Sequence, residues 1–288
     1  MSKDLERKTI TEDTVEESEQ DINALIDELT LFDDDLMGLV FDNNIPATQK
    51  VVSIILGRPI KVTKVKGQVE LRSPELGGRK IRLDVKAVEA NGDRINIEVQ
   101  GDSAGSSVKR ARYHSSMIDS RMLKKGQDFD ELKDSYVIFI YEHDKFKKGL
   151  PIYHLERFVE ETGDKVHDGS HIIYVNGNYK GKDDIGKLIE DFKCKNSSQM
   201  HFKELADGVK YYKETEEGRD IVCEAVEKYG DKREARGEAR GEARGKEKTN
   251  IKAVQNLMKN MKWTVEQALD ALSINGKERT KIIGKLQK

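Results

Sequence analysis

From Lys80 to Gln100 the chain alternates apolar and polar residues in two runs, and that pattern leaves little choice of local structure. In the first run Ile81, Leu83, Val85 and Ala87 share one parity and Arg82, Asp84 and Lys86 the other. In the second, Ile95, Ile97 and Val99 alternate with Arg94, Asn96, Glu98 and Gln100. Side chains on a strand point to opposite faces with period two, so each run reads as a strand with one apolar and one polar face. Asn91-Gly92 between them is the strongest short hairpin signal. A two-residue Asn91-Gly92 loop would oppose Val88 and Ile95 and mix the faces, so the loop must have an odd length. A five-residue loop sets Asp84 opposite Glu98, and a three-residue loop sets Asp84 opposite Gln100 with Glu98 diagonal. In either register the two carboxylates lie within about 5–8 Å of each other.

Facing acids on neighbouring strands repel, and each raises the other's pKa unless a cation intervenes. A divalent metal resolves that repulsion, and carboxylate, carbonyl and water ligands suit Mg²⁺ or Mn²⁺. The same alternation also describes the solvent-facing side of a half-exposed sheet, with Arg82 and Lys86 neutralising the acids.

Around this hairpin the chain reads as mixed α and β. Ile60–Lys66 and Gln68–Arg72 alternate about a bend at Gly67, and Ser73–Gly78 is a turn. Leu36–Leu56 reads as two helices or one helix broken at Pro46, closed by Gly57. Residues 104–126 read as a helix ending at Gly126, with Gly101–Gly105 as the connection into it. Apolar strands follow at Tyr136–Tyr141 and His171–Val175, then helical pattern to about residue 230. Tyr136–Tyr141 falls far short of the ~20 residues that span a bilayer. The opening residues lack the apolar core of a signal peptide. Cys194 and Cys223 form no CxxC, the six histidines show no zinc spacing, and no phosphate-binding GxxxxGK[ST] loop occurs. A soluble cytoplasmic protein without a nucleotide cofactor and without membrane contact is expected.

Charge is unevenly spread: residues 1–35 carry 13 acids against 3 bases, and residues 228–288 carry 16 bases against 8 acids. Residues 1–29 read as an acidic, largely disordered arm that could compete for a basic surface as an internal DNA mimic. EARG occurs three times over residues 234–245, placing Arg236, Arg240 and Arg244 at like-charge spacing and a Gly in every turn. Each Gly costs about 1 kcal/mol in a helix relative to Ala, so a low-complexity linker is favoured over a close-packed helix seam. In residues 250–288, Thr264-Val-Glu-Gln267 is a capping-box pattern and Gly276 separates a last basic helix, with Trp263 as the expected anchor of a small core. Such a tail permits DNA binding, dimerisation or a lid.

Beyond the hairpin, Thr30-Leu-Phe-Asp-Asp34 with Met37-Gly38 is followed by Ile54-Ile-Leu-Gly57. Arg82-Leu-Asp84-Val and Asn96-Ile-Glu98-Val-Gln100 come next, then Arg110-Ala-Arg112-Tyr113, Ser116-Met-Ile-Asp119 and Ser135-Tyr-Val-Ile-Phe-Ile140. In order and spacing this resembles the PD-(D/E)XK nuclease superfamily, and within it the PD-(D/E)XK nuclease family transposases and recombination-promoting nucleases. The resemblance implies an α/β fold with a restriction-endonuclease-like core, a central mixed sheet flanked by helices, and a helical C-terminal extension. It divides the chain into a core over 30–200, a helical extension over 201–230, a charged linker over 231–249 and the tail.

It further implies a Mg²⁺-dependent DNA endonuclease, with Mn²⁺ as a substitute ion. Asp84 and Glu98 would be the metal-binding carboxylates and the Val99 carbonyl a third ligand. Gln100 stands where Lys is usual, as it does in this branch, and could orient water but carries no charge. Asp34, with Asp33 as the neighbouring fallback, matches the acidic residue of the first helix. Lys86 could supply the missing charge from a displaced position or be a solvated partner of Glu98. Arg110, Arg112 and Tyr113 could contact the DNA backbone, the alternative being surface charge with Tyr113 partly in the core. DNA is the expected partner, with a homodimer for two-strand cutting and a place on the nucleoid. The competing reading is a catalytically weak or inactive DNA-binding or assembly protein on a nuclease fold. A third is an interaction role centred on the repeat and tail.

Overall fold

The computed structural model describes residues 22–73, 77–101 and 107–286, with the side chains of 227–248 and of 277, 278, 280, 281 and 285 outside the description. The acidic arm before residue 22, the middle of the Ser73–Gly78 turn and the 102–106 connection therefore lie outside the described residues. Two compact units divide the chain, Met1–Ala225 and Val226–Lys288.

The first unit is built on a six-stranded mixed sheet. Its order is β1 (Val62–Leu71), β2 (Ile81–Glu89), β3 (Arg94–Gln100), β4 (Ser135–Tyr141), β8 (Ser170–Asn176), β5 (Ile152–Leu155). β1, β2 and β3 form an antiparallel meander. β4 then pairs parallel with both β3 and β8, and β5 closes the far edge antiparallel to β8. The parallel pairing of β3 and β4 needs a crossover, which α4 (Val108–Asp119) provides. Every residue of β4, Ser135-Tyr-Val-Ile-Phe-Ile-Tyr141, is buried, as a central strand covered on both faces requires. A two-stranded ribbon of β6 (Arg157–Phe158) and β7 (Lys165–Val166) lies between β5 and β8 in the chain.

Helices flank this sheet. Residues 22–28 form α1, followed by α2 (Asp34–Phe41) and α3 (Ile45–Leu56), with α5 (Asp184–Lys193) and α6 (Lys203–Glu214) later in the chain. The break between α2 and α3 falls at Asp42–Asn44, where Asn43 has φ +54° and Asn44 caps α3 by accepting from the Ala47 N–H. Pro46 sits in the first turn of α3, where its missing N–H costs nothing, so it starts that helix and does not interrupt one. α2 lies against β1 at a close approach of two glycines: a Cβ on Gly67 would meet the Gly38 carbonyl oxygen at 3.1 Å. β1 runs as one strand with a register irregularity between Val62 and Lys64, and beside Gly67 it is kinked at Gln68, whose φ is +50°.

In the second unit the long helix α7 (Glu216–Met261) arrives from the first and carries the EARG repeat within it. The repeat backbone is thus helical, against the expectation drawn from its glycines and like charges. α8 (Val265–Ala271) begins with the expected capping box, Thr264 and Gln267 each accepting from the other's backbone N–H. Val254, Ala268, Leu269, Ile274 and Ile282 form the core with α9 (Gly276–Leu286), while Trp263 remains half-buried outside that cluster. Among the described residues no helix is long and apolar enough to cross a membrane.

One buried cation ties the start of the first unit to its helices. Lys213 on α6 is 5% exposed, and its Nζ donates to the carbonyls of Asp27, Leu29 and Lys195 at 2.6–2.8 Å. Lys213→Met should lower stability by about 3 kcal/mol, because three backbone carbonyls, that of Leu29 buried, lose a charged donor. Urea denaturation followed by circular dichroism would measure that loss.

Candidate active site

β2 and β3 pair from Val88↔Arg94 to Val85↔Ile97, which leaves a five-residue connection and brings Asp84 opposite Glu98. Of the two odd loops the sequence permits, the longer one forms. At Asp84 side chains take over the ladder: the Asp84 N–H donates to Glu98 Oε1 at 3.3 Å, and the Val99 N–H donates to Asp84 Oδ2 at 3.1 Å. Each carboxylate therefore holds the opposite strand. The alternation of burial also breaks here, with Leu83, Asp84 and Val85 buried in succession. Leu83 joins Ala111, Met117 and Phe139 in a core cluster formed with α4.

Both acids are out of water, Asp84 at 5% and Glu98 at 0% exposure. Burial pushes the Asp84 carboxyl well above the usual carboxylate range, and the charges of Glu98 and Asp34 add to that rise. The Val99 N–H and Arg82 pull the other way. Glu98 is supported from α4 and from its own strand. Arg110 Nη2 stands 2.8 Å from Oε2, Asn96 Nδ2 donates to Oε1 at 3.0 Å, and His114 Nδ1 lies 3.4 Å from Oε1. Arg110 Nη1 also donates to Gln100 Oε1 at 3.0 Å, while Gln100 Nε2 donates to the Val99 carbonyl at 2.8 Å. The Arg110 guanidinium lies 5.7 Å from the Phe139 ring centroid, so the β4 aromatic helps to seat it.

The expected residues are thus distributed unequally. Asp84, Glu98, Val99 and Gln100 come together, and Arg110 joins them as a partner of Glu98 and Gln100. Asp34 begins α2, with Oδ2 3.6 Å from Arg82 Nη2 and a side chain 56% exposed. Asp33 is occupied in its own turn, accepting from the Thr30 N–H and hydroxyl. Lys86 forms no ion pair with Glu98 and lines a groove with Lys64 and Lys66. Arg112 is exposed, and Tyr113 is half-buried with its hydroxyl donating to the Arg79 carbonyl. Sequence reasoning placed neither Asn96 nor His114 in the site, yet His114 is 2% exposed beside Glu98. Two signals were available: Asn96 shares the parity of Glu98, and His114 follows Arg110 by one helical turn.

The two carboxylates offer oxygen donors, as does the neighbouring Val99 carbonyl, which here accepts from Gln100. That set fits a hard divalent cation such as Mg²⁺ or Mn²⁺, with water completing the coordination. Among the described residues no group of three or more His, Cys, Asp or Glu side chains gathers to hold a metal, so a dedicated all-protein cage is not built. Arg110 sets a positive charge directly against Glu98.

A six-stranded mixed sheet flanked by helices, with paired acids on a β hairpin and a following crossover helix, defines a PD-(D/E)XK nuclease fold. Residues 42–182 match the model of the family described as PD-(D/E)XK nuclease family transposase. The match contains Asp84, Glu98 and Gln100 and begins after Asp34. Comparison with curated proteins finds no match, and neither does comparison with solved structures.

Two substitutions should move metal-free stability in opposite directions. Asp84→Asn keeps an acceptor for the Val99 N–H and removes a buried charge, so it should raise Tm in EDTA by roughly 3 °C, about 1 kcal/mol. Arg110→Met leaves Glu98 buried without its cation and should cost about 3 kcal/mol. Differential scanning calorimetry in EDTA reads both, and equal shifts of the same sign would contradict the charge arrangement.

Proposed function

We propose that the chain is a metal-dependent DNA endonuclease that hydrolyses phosphodiester bonds, serving recombination or a mobile element. The observation that carries this reading is the buried Asp84–Glu98 pair, placed face to face where the β2–β3 ladder passes to side chains. Two sealed acids are a cost to a protein that only binds DNA, since they oppose phosphate. They are an asset to one that binds a divalent cation.

In this reading Asp84, Glu98 and the Val99 carbonyl hold Mg²⁺, or Mn²⁺ in its place. The bound cation lowers the pKa of a water molecule and stabilises charge on the phosphate. Gln100 is gripped at both ends, by the Val99 carbonyl and by Arg110, so its carboxamide is held ready to orient the attacking water. Arg110 supplies from α4 the positive charge that Gln100 cannot. Asn96 and His114 keep the Glu98 carboxylate in place, and Asp34 adds negative charge at the rim. Cutting both strands with one site per chain takes two copies, so a homodimer on DNA is part of the proposal. The working location is the cytoplasm, on the nucleoid when DNA is bound.

Arg110 seated on Glu98 also favours a second reading, in which that guanidinium permanently takes the cation's place and the domain binds DNA without cutting it. Nicking of supercoiled plasmid separates the two. Wild type should nick with Mg²⁺ or Mn²⁺ and stop in EDTA, and Asp84→Asn and Glu98→Gln should each lower the rate by roughly a hundredfold or more. Unchanged DNA binding with no nicking under any metal would establish the non-cutting reading.

A further inference from the structure

β1 is an edge strand, paired only with β2, and its register sets Lys66 directly opposite Lys86 and Lys64 opposite Val88. Like charges opposed across an antiparallel pair destabilise it. Lys64, Lys66 and Lys86 line one groove of about 500 Å³ whose other lining is mostly apolar, from Ile45, Val65, Val69 and Val88. Among the described residues no acid stands within ion-pair distance of these three lysines. The acids of the same two strands are engaged elsewhere: Glu89 takes Arg58 through two hydrogen bonds, and Glu70 takes Lys80.

Two further cations extend the field. Arg94 Nη1 donates to the Gly92 carbonyl and Arg121 Nη1 to the Met117 carbonyl, so both are bonded to neutral groups that leave their charge uncompensated. Lysines on an exposed edge also deter edge-to-edge pairing. That role accounts for Lys64 and Lys66 but not for Lys86, which is on the inner strand and half-buried.

We propose that Lys64, Lys66 and Lys86 form a phosphate-binding groove that carries the backbone of duplex DNA alongside the Asp84–Glu98 pair. Lys86 lies two residues from Asp84 on β2, roughly 7 Å along the strand, so a backbone held there passes close to the acids. The groove rests on the nuclease reading for its ligand, but it binds without metal and without cleavage. Its contacts are to phosphate and carry no base information, so they position the duplex and do not select a sequence. The like-charge pair that strains the free sheet is relieved when a polyanion lies over it.

The test is fluorescence anisotropy of a labelled duplex with the full chain in EDTA, across a series of salt concentrations. Lys64→Gln/Lys66→Gln should weaken binding about tenfold near 0.1 M salt and make the log–log salt slope shallower by about two. Lys86→Gln alone should remove about one unit of slope. A charge-matched pair on α6, Lys203→Gln/Lys210→Gln, should bind like wild type. If wild type binds no DNA, the nuclease reading fails and the groove fails with it. If wild type binds and all variants match it, the groove is overturned while the nuclease reading stands. Aggregation of the double variant at unchanged affinity would assign the lysines to edge protection and likewise overturn the proposal.

Discussion

Two carboxylates held out of water and facing each other require positive charge, and much of the first unit is arranged around that requirement. Asp84 and Glu98 replace backbone acceptors at the point where β2 and β3 stop pairing regularly, so removing the acids would also remove hydrogen bonds that join the strands. α4 answers with Arg110 and His114 on successive turns of one face. Docking α4 there in turn fixes the crossover from β3 to β4, and with it the parallel half of the sheet. Phe139, on the strand that crossover reaches, packs near both Arg110 and His114. Site chemistry and sheet topology thus share the same residues.

The charges nearby are divided by kind. Acids at the site are sealed and bonded, whereas lysines on the β1–β2 surface stand in a groove without acidic partners among the described residues. Under the proposed function, that separation would put negative charge at the cation site and positive charge along the path of the DNA backbone. Asp34 and Arg82 form an exposed pair, on elements brought together where α2 meets β1 at Gly38 and Gly67. Small residues at that contact matter to the site although neither touches it.

Legibility in the sequence followed the strength of local pattern. The β2–β3 hairpin was readable because strict alternation excludes half of the possible loops, and only the choice between three and five residues needed coordinates. The α2–α3 break was anticipated but assigned to Pro46, when the positive φ of Asn43 and the Asn44 cap are what turn the chain. β5, β6 and β7 were missed because strands of two to four residues contain too few alternations to show a period. Asn96 and His114 became site residues only through tertiary contact: α4 had to be laid on the sheet before a histidine with no metal spacing could meet Glu98. Arg110 was recognised as a functional cation but expected at the DNA surface, because nothing local reveals that it turns inward to an acid twelve residues earlier. The EARG repeat shows the opposite case, in which composition argued for a linker and the backbone is helical.

The exchange of ladder bonds for carboxylate bonds gives the site a built-in reporter. The amide protons of Asp84 and Val99 are held by Glu98 and Asp84 side chains, and not by carbonyls of a paired strand. Any event that draws those carboxylates elsewhere changes the shielding and the solvent-exchange rate of two backbone amides. Occupancy and protonation of the pair can therefore be followed by nuclear magnetic resonance at two main-chain positions, without substrate, turnover or an attached probe.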